Sequence, residues 1–180
     1  MDFDELYQEH KDLVYNLALK YVQNIEDAEE ISQDVFVAIF SGIDNFQHQA
    51  QLSTWVYKIT INKSLDFIKA KKAKKRQGFL TSLFRPGGQE ETSVQHSNYH
   101  DRFNHPGVQL ESKEEVAFIM HCINQLPDKQ KTALILHKLE EKSQVEIAKI
   151  MESTPKAVES LVQRAKGNLK KIMTKTRDSR

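Results

Sequence analysis

The stretch from Ser143 to Ile172 limits what this chain can fold into more than any other part of it. It reads SQVEIAKIM, then EST, then PKAVESLVQRAKGNLKKI. Ser143 and Glu146 form a capping-box pair, in which a hydroxyl and a carboxylate satisfy backbone N–H groups left open at the start of a helix. Thr154 precedes Pro155, and proline suits the first helical position because its missing N–H has no partner there. A short helix, a tight turn and a longer helix follow from these two starts. In the longer helix Val158, Leu161, Val162, Ala165, Leu169 and Ile172 recur at three- and four-residue steps and share a face. Lys156, Glu159, Ser160, Gln163, Arg164, Lys170 and Lys171 take the other side. A short helix braced against a longer, polar-faced one is the arrangement by which a helix-turn-helix lays its second helix in the DNA major groove. Lys156 to Gln163 is ~10 Å of helix axis, close to the ~12 Å width of that groove. The same pattern also fits a plain helical hairpin whose charged face is solvated.

Composition narrows the class. With six glycines and four prolines in 180 residues, helices are favoured over sandwiches and barrels. No apolar run is long enough to span a bilayer, and the N-terminus lacks a signal-peptide pattern. The single cysteine, Cys122, excludes an internal disulfide and reads as a core residue in a reducing cytoplasm. The net charge of +1 conceals segregation. Residues 1–55 hold eleven acids and two bases, while residues 56–76 hold eight bases and one acid. Residues 161–180 hold seven bases and one acid. Two basic patches, each at the end of a helix, suit two separate contacts with a polyanion. The acidic N-terminal surface suits a basic protein partner.

The N-terminal half reads as three helices. Phe3, Leu6, Tyr7, His10, Leu13, Val14, Leu17 and Tyr21 form the first stripe, with His10 as a core or boundary histidine. Asn24 interrupts the pattern, and acids around Asp27 suit the start of a second helix, where the backbone dipole favours negative charge. Ala28, Ile31, Val35 and either Ala38 or Ile39 make its buried stripe, widened by Phe36 and Phe40. Glu30, Gln33 and Asp34 fall outside it. After the polar loop SGIDNFQHQAQ, Ser53 is placed to cap a third helix, TWVYKITINKSLDFIKAKK. Trp55, Val56, Ile59, Leu65 and Ile68 are its apolar positions; Lys58, Lys63, Lys69, Lys71 and Lys72 are basic. Aromatic and basic side chains near a helix start can stack on unpaired bases and hold their backbone. A tryptophan there also serves as plain core.

Two stretches carry a resemblance. DAEEISQDVFVAIF, a loop phenylalanine and STWVYKITINKSLDFI resemble region 2 of the sigma-70 family. LPDKQKTALILHKLEEKSQVEIAKIMESTPKAVESLVQRAKGNLKK resembles region 4. With these two regions in order, over roughly residues 5–72 and 112–172, the chain resembles the extracytoplasmic-function (ECF) group of sigma factors. The resemblance implies an all-α fold of two small helical domains. A region 2-like bundle at residues 1–76 and a region 4-like helix-turn-helix domain at residues 112–175 would be joined by a long flexible linker at residues 77–111.

It also implies a function: binding core RNA polymerase, through the clamp coiled coil and the flap, and directing promoter-specific initiation. On this resemblance Glu30, Gln33 and Asp34 bind the clamp. Trp55, Lys58, Asn62 and Lys63, with the loop from Asp44 to Leu52, recognise and melt the −10 element and capture a flipped non-template base. Unstacking a base costs a few kcal/mol, and stacking returns ~1–3 kcal/mol. Thr154, Lys156, Ser160, Gln163, Arg164 and Lys166 read the −35 element on the duplex. Gln163 suits an adenine edge, and Arg164 and Lys166 suit phosphates. Asn62 stands between DNA contact and packing, and Asp66 reads as a packing or capping residue. The chain departs from the family pattern at Glu159 and Leu161, where basic residues are frequent. Glu159 can accept from a cytosine amino group or repel the DNA backbone. An anti-sigma factor is a further expected partner.

The middle segment shows no sustained period and holds two of the four prolines. Taken from residue 73 to residue 111, a flexible chain of about 39 residues spans ~35 Å on average and ~130 Å when extended. Promoter elements about two helical turns apart lie ~70 Å apart, so the linker reaches only when stretched. His96, His100 and His105 have irregular spacing and no nearby cysteine, which argues against a metal site. Phe79, Leu80, Leu83 and Phe84 make a small amphipathic patch, either a polymerase-docking helix or a local cluster. Beyond it Val116, Ile119, Met120, Ile123 and Leu126 line a helix that stops before Pro127. Asp128 begins another through about Glu141, with Ala133, Leu134, Leu136 and Leu139 inward. His121 and His137 read as surface or boundary residues.

No Ser-His-Asp set, phosphate loop or metal cluster is legible, so no enzyme, cofactor or metal is expected. The expected location is the cytoplasm, without membrane insertion. Two rival readings remain: an autonomous helix-turn-helix repressor or activator acting without polymerase, and a helical adaptor with solvated basic faces. The first needs tight duplex binding, usually by a dimer, and no dimerisation stripe is left once the cores are assigned.

Overall fold

Gln23 and Asn24 separate the first two helices, α1 (Phe3–Val22) and α2 (Ile25–Gly42). Gln23 adopts a left-handed φ of 56° and returns its N–H to the Leu19 carbonyl at 2.8 Å, which ends α1. Asn24 starts α2, its side-chain oxygen accepting from the Asp27 N–H at 2.8 Å. The interruption read at Asn24 is therefore a cap. The structure, a computed structural model, describes residues 3–46, 51–83 and 110–178. Within them a 3₁₀ turn (Ile43–Asn45) follows α2, and then come α3 (Leu52–Leu83), α4 (Leu110–Ile123), α5 (Asp128–Lys138), α6 (Gln144–Ile150) and α7 (Pro155–Asp178). No strand occurs among the described residues.

Helices α1, α2 and α3 pack on one another, and α7 lies against α4, α5 and α6. Most of the N-terminal stripe is buried as expected: Leu6, His10, Val14, Leu17 and Tyr21 face inward, with His10 only 5% exposed, but Tyr7 is 40% exposed and Phe3 and Leu13 are half-buried. Ile39, not Ala38, completes the α2 stripe. Cys122 is fully buried.

Several expectations need correction. Ser53 is not the cap of α3, because the helix begins at Leu52 and the Trp55 N–H bonds to the Gln51 carbonyl at 3.3 Å. Phe40 is 63% exposed, with its ring edge-on to Phe3 at 5.2 Å. Val116 and Leu139 are exposed, while Phe118, Lys131, Thr132 and Ile135 are buried in their neighbourhood. Periodicity cannot decide these cases, because α5 is covered on several sides rather than along one stripe. Helix α3 continues to Leu83, so the first seven residues of the expected linker, 77–83, are helical. His96, His100, His105, most of the middle segment and residues 47–50 of the polar loop lie outside the described residues.

Two apolar clusters hold the molecule. One lies within the N-terminal bundle and includes Leu6, Val14, Ile31, Val35, Ile39 and Val56. The other crosses between the halves: Leu17, Tyr21, Tyr57 and Ile61 join Met120, Ile123, Leu134, Leu136, Ile147 and Ile150. Burying a side chain of this size contributes ~1.5–3 kcal/mol, so the contact between the halves has an energetic basis of its own.

Candidate nucleic-acid interface

The helix-turn-helix is built by local rules. The Glu146 N–H donates to Ser143 Oγ at 3.3 Å, and the Ser143 N–H donates to a Glu146 carboxylate oxygen at 2.9 Å. Both halves of the capping box are thus made. These bonds to Ser143 hold the Glu146 carboxyl below the usual carboxylate range. Glu152 then takes a left-handed φ of 49°, and the Ser153 N–H reaches back to the Ala148 carbonyl at 2.9 Å, closing α6. The Ala157 N–H donates to Thr154 Oγ1 at 3.2 Å, so Thr154 caps the second helix.

Val158, Val162 and Ala165 fix α7 against the core. The opposite face carries Thr154, Lys156, Gln163, Arg164 and Lys166, all exposed. Ser160 is half-buried, and its Oγ accepts from Arg164 Nη2 at 2.8 Å and from Nε at 3.2 Å. Ser160 thereby positions the guanidinium of Arg164. Gly167, one residue after Lys166, meets no atom within 4 Å of where a Cβ would stand, so this face is open.

At the start of α3, Trp55, Lys58, Asn62 and Lys63 fall within one side of the helix, given its turn of 3.6 residues. Asn62 is exposed, while Trp55, Lys58 and Lys63 are half-buried. The indole packs against the Phe46 ring with centroids 5.1 Å apart. A Cβ on Gly42 would lie 3.2 Å from Trp55 Cζ2, so glycine is what lets the ring settle on the end of α2. Lys58 pairs with Glu152 in the turn of the helix-turn-helix. Lys71, farther along α3, pairs with Asp27 at 2.5 Å. Asp66 pairs with Lys69 at 3.7 Å on the surface, an i,i+3 contact and not a cap.

The acidic face of α2 is open: Glu30, Gln33 and Asp34 are all exposed. Val37 and Phe40 continue the same face and are 66% and 63% exposed. Sequence reading missed both, because Phe40 also fits the stripe of the buried face; an apolar pair beside an acidic row was the available signal. Exposed apolar side chains beside charge are the composition of a protein-binding surface. Among the described residues no group of three His, Cys, Asp or Glu side chains could hold a metal ion, and no helix is long and apolar enough to cross a membrane.

Comparison with known proteins agrees with this layout. Residues 6–74 match the family model for sigma-70 region 2, and residues 117–169 match that for sigma-70 region 4. The ECF RNA polymerase sigma factor SigW of Bacillus subtilis is 28% identical over 173 residues, covering 94% of this chain and 87% of SigW. SigM of the same organism, also named an ECF RNA polymerase sigma factor, is 27% identical, covering 96% of this chain and 95% of SigM. The fold is that of the sigma factor RpoE solved in complex with the anti-sigma factor NepR from Bartonella quintana, with a TM-score of 0.62, 18% identity and coverage of 96% and 97% of the two chains. It is equally that of CnrH in complex with the cytosolic domain of CnrY, with a TM-score of 0.62, 19% identity and coverage of 96% and 87%. With both regions present in order, the chain belongs to the sigma-70 family of RNA polymerase sigma factors, in its extracytoplasmic-function group.

Proposed function

We propose that this chain binds core RNA polymerase and directs it to promoters, acting as an initiation factor in the cytoplasm with no catalytic chemistry of its own. The observation that carries this reading is the ordered pair of sigma-70 regions in one chain, each with an open face of the chemistry its task needs. The acidic row Glu30, Gln33 and Asp34, extended by Val37 and Phe40, docks on a basic and apolar surface of the polymerase clamp. Trp55, Lys58, Asn62 and Lys63 engage the −10 element as it melts. Thr154, Lys156, Gln163, Arg164 and Lys166 engage the −35 duplex, with Ser160 holding Arg164 in place. The solved neighbour RpoE, bound to the anti-sigma factor NepR, supports a partner of that kind for this chain as well.

Run-off transcription tests the proposal, using purified core polymerase with and without this chain on fragmented DNA from its own genome. Discrete transcripts that need both proteins are the expected result. Sequence-specific duplex binding by the chain alone, with no such transcripts, would replace this reading with an autonomous helix-turn-helix regulator.

A further inference from the structure

The second half of α3 gathers three lysines on one side. Lys71 and Lys75 are one helical turn apart, and Lys72 stands beside them. Together with Lys131 of α5 they line a cavity of about 290 Å³. Tyr21 of α1, Asp27 of α2, Phe67 of α3 and Asn124, just after α4, line it too. Four lysines against one carboxylate leave a surplus of three positive charges. Like charges three and four residues apart destabilise a helix, and the one acid, Asp27, is taken by Lys71 at 2.5 Å.

Lys131 forms the floor and the other three lysines the rim, since Lys131 is 3% exposed while Lys71, Lys72 and Lys75 are exposed. A lysine so deeply buried normally has an anionic partner. This ammonium has three N–H donors. One reaches Asn124 Oδ1 at 3.3 Å, and the Tyr21 ring centroid stands 4.9 Å away. Asp128 attracts it from a distance, without a hydrogen bond, and Lys72 repels it. Burial above all, then Lys72, brings its pKa down to about 8. Asn124 uses its oxygen on Lys131, which leaves Nδ2 as a further donor into the cavity.

The cavity is separate from the residues assigned to the −10 element. At 3.6 residues per turn, Lys71 and Lys75 lie about half a turn around α3 from Trp55 and Asn62. Lys71 is also ~24 Å along the axis from Trp55. A phosphate in a DNA duplex can touch the rim lysines, but the stacked duplex cannot carry it down to Lys131. A free anion small enough to enter the cavity can reach the floor.

We propose that this cavity binds a small diphosphate anion, held by Lys131 and Asn124 on the floor and by Lys72 and Lys75 at the rim. A monophosphate carries about −1.5 to −2 at neutral pH, so a surplus of three positive charges calls for two phosphoryl groups. Lysine suits them as a compact point charge on a flexible stem. The diphosphate is either free pyrophosphate or part of a nucleotide, whose ring would lie against the half-buried Phe67. The inference rests on the geometry of this chain and requires neither polymerase nor promoter.

Titration calorimetry of the full chain tests it, without magnesium and at about 0.15 M salt, where charges beyond ~8 Å are screened. The probes are ADP, pyrophosphate and inorganic phosphate. One-to-one binding of ADP or pyrophosphate, at least tenfold tighter than phosphate, is the expected result. Equal affinity for ADP and pyrophosphate would assign the free anion, and tighter ADP the nucleotide. Lys131→Met and Lys72→Glu are each expected to weaken binding about tenfold. Lys74→Glu, the same charge change outside the cavity, is expected to leave it unaltered. Between pH 7 and pH 9 wild-type affinity for ADP is expected to fall about tenfold as Lys131 loses its proton. Lys131→Met is expected to lack that fall. Tyr21, kept protonated by burial, and the always-ionised Asp27 and Asp128 do not titrate in this range. Absence of saturable binding, or phosphate binding as tightly as pyrophosphate, would overturn the site. Equal losses in Lys72→Glu and Lys74→Glu would reduce it to diffuse surface charge. Duplex DNA that displaces ADP from wild type, and itself binds Lys131→Met tenfold more weakly, would give these lysines to DNA instead.

Discussion

Lys131 is a lysine whose charged end is held out of water. It is 3% exposed, its Nζ donates to Asn124 Oδ1 at 3.3 Å, and the ammonium lies 4.9 Å from the Tyr21 ring centroid. Burial pushes its pKa down to about 8, with Lys72 adding to the fall and Asp128 opposing it. The unfolded chain keeps this proton to ~10.4, so between pH 8 and 10 the unfolded state binds more protons and stability rises with pH. The Tyr21 and Tyr57 phenols act in the opposite sense at higher pH. Burial raises both above the usual tyrosine value, with the Glu140 hydrogen bond adding to the rise at Tyr57. Their contribution is complete below ~10 and declines above it. Urea unfolding is therefore expected to show stability ~1 kcal/mol higher at pH 9.5 than at pH 7.5. Lys131→Met is expected to abolish that increment; an unchanged increment would locate the proton elsewhere. Trp55 poses the opposite problem, since it is half-buried against Phe46 and so neither free nor sealed. Trp55→Ala is expected to reduce open-complex formation severalfold more than initial promoter binding. Equal loss in both would mark the ring as packing alone.

At the scale of the helix, what was legible in the sequence was whatever neighbouring residues decide. Ser143 with Glu146, and Thr154 before Pro155, name their helix starts because cap and capped N–H lie three residues apart. Phe40, Val116 and Leu139 were misplaced because a stripe shows that a face is apolar without showing what covers it. Helix α2 turns that failure into a prediction. Val37 and Phe40 stand exposed beside Glu30, Gln33 and Asp34, an apolar extension of an acidic face. Phe40→Asp is expected to weaken core-polymerase binding by about tenfold, ~1.4 kcal/mol, with unfolding little changed. Unaltered affinity would confine the clamp surface to the acidic row. The end of α5 supplies a control on backbone cost. Glu141 is exposed at φ 53°, and the Lys142 N–H closes the turn onto the Leu136 carbonyl at 2.9 Å. Glu141→Gly removes the Cβ from that conformation and is expected to stabilise the chain by ~0.5–1 kcal/mol in chemical denaturation. A loss instead would mean that the glutamate side chain contributes more than its backbone costs.

Across the whole molecule, the part that sequence could not disclose is the contact between its halves. Tyr21 and Thr132 are 111 positions apart, and Gln23 and Met120 are 97 apart. No periodicity links such residues; Tyr21 reads as an ordinary member of the first helix stripe, and Tyr57 falls outside the apolar positions read for the third helix. The segregated charge gave one indirect sign, since Lys58, from the basic stretch, meets a carboxylate of the other half. Ile61 shows how far the contact goes beyond charge. It is buried in the cluster shared by both halves, and it lines a cleft between them with Thr132, Ile150 and Met151. Domains coupled through a shared apolar cluster unfold together, because exposing that cluster costs each of them. Scanning calorimetry of the full chain is accordingly expected to show one transition. Ile61→Lys places an ammonium in that cluster, where its desolvation cost favours separation of the halves over burial. Separated halves lose their coupling, so the variant is expected to unfold in two transitions, each smaller in enthalpy than the single one. A single transition merely shifted to lower temperature would show that the two cores form one cooperative unit that a single buried charge does not divide.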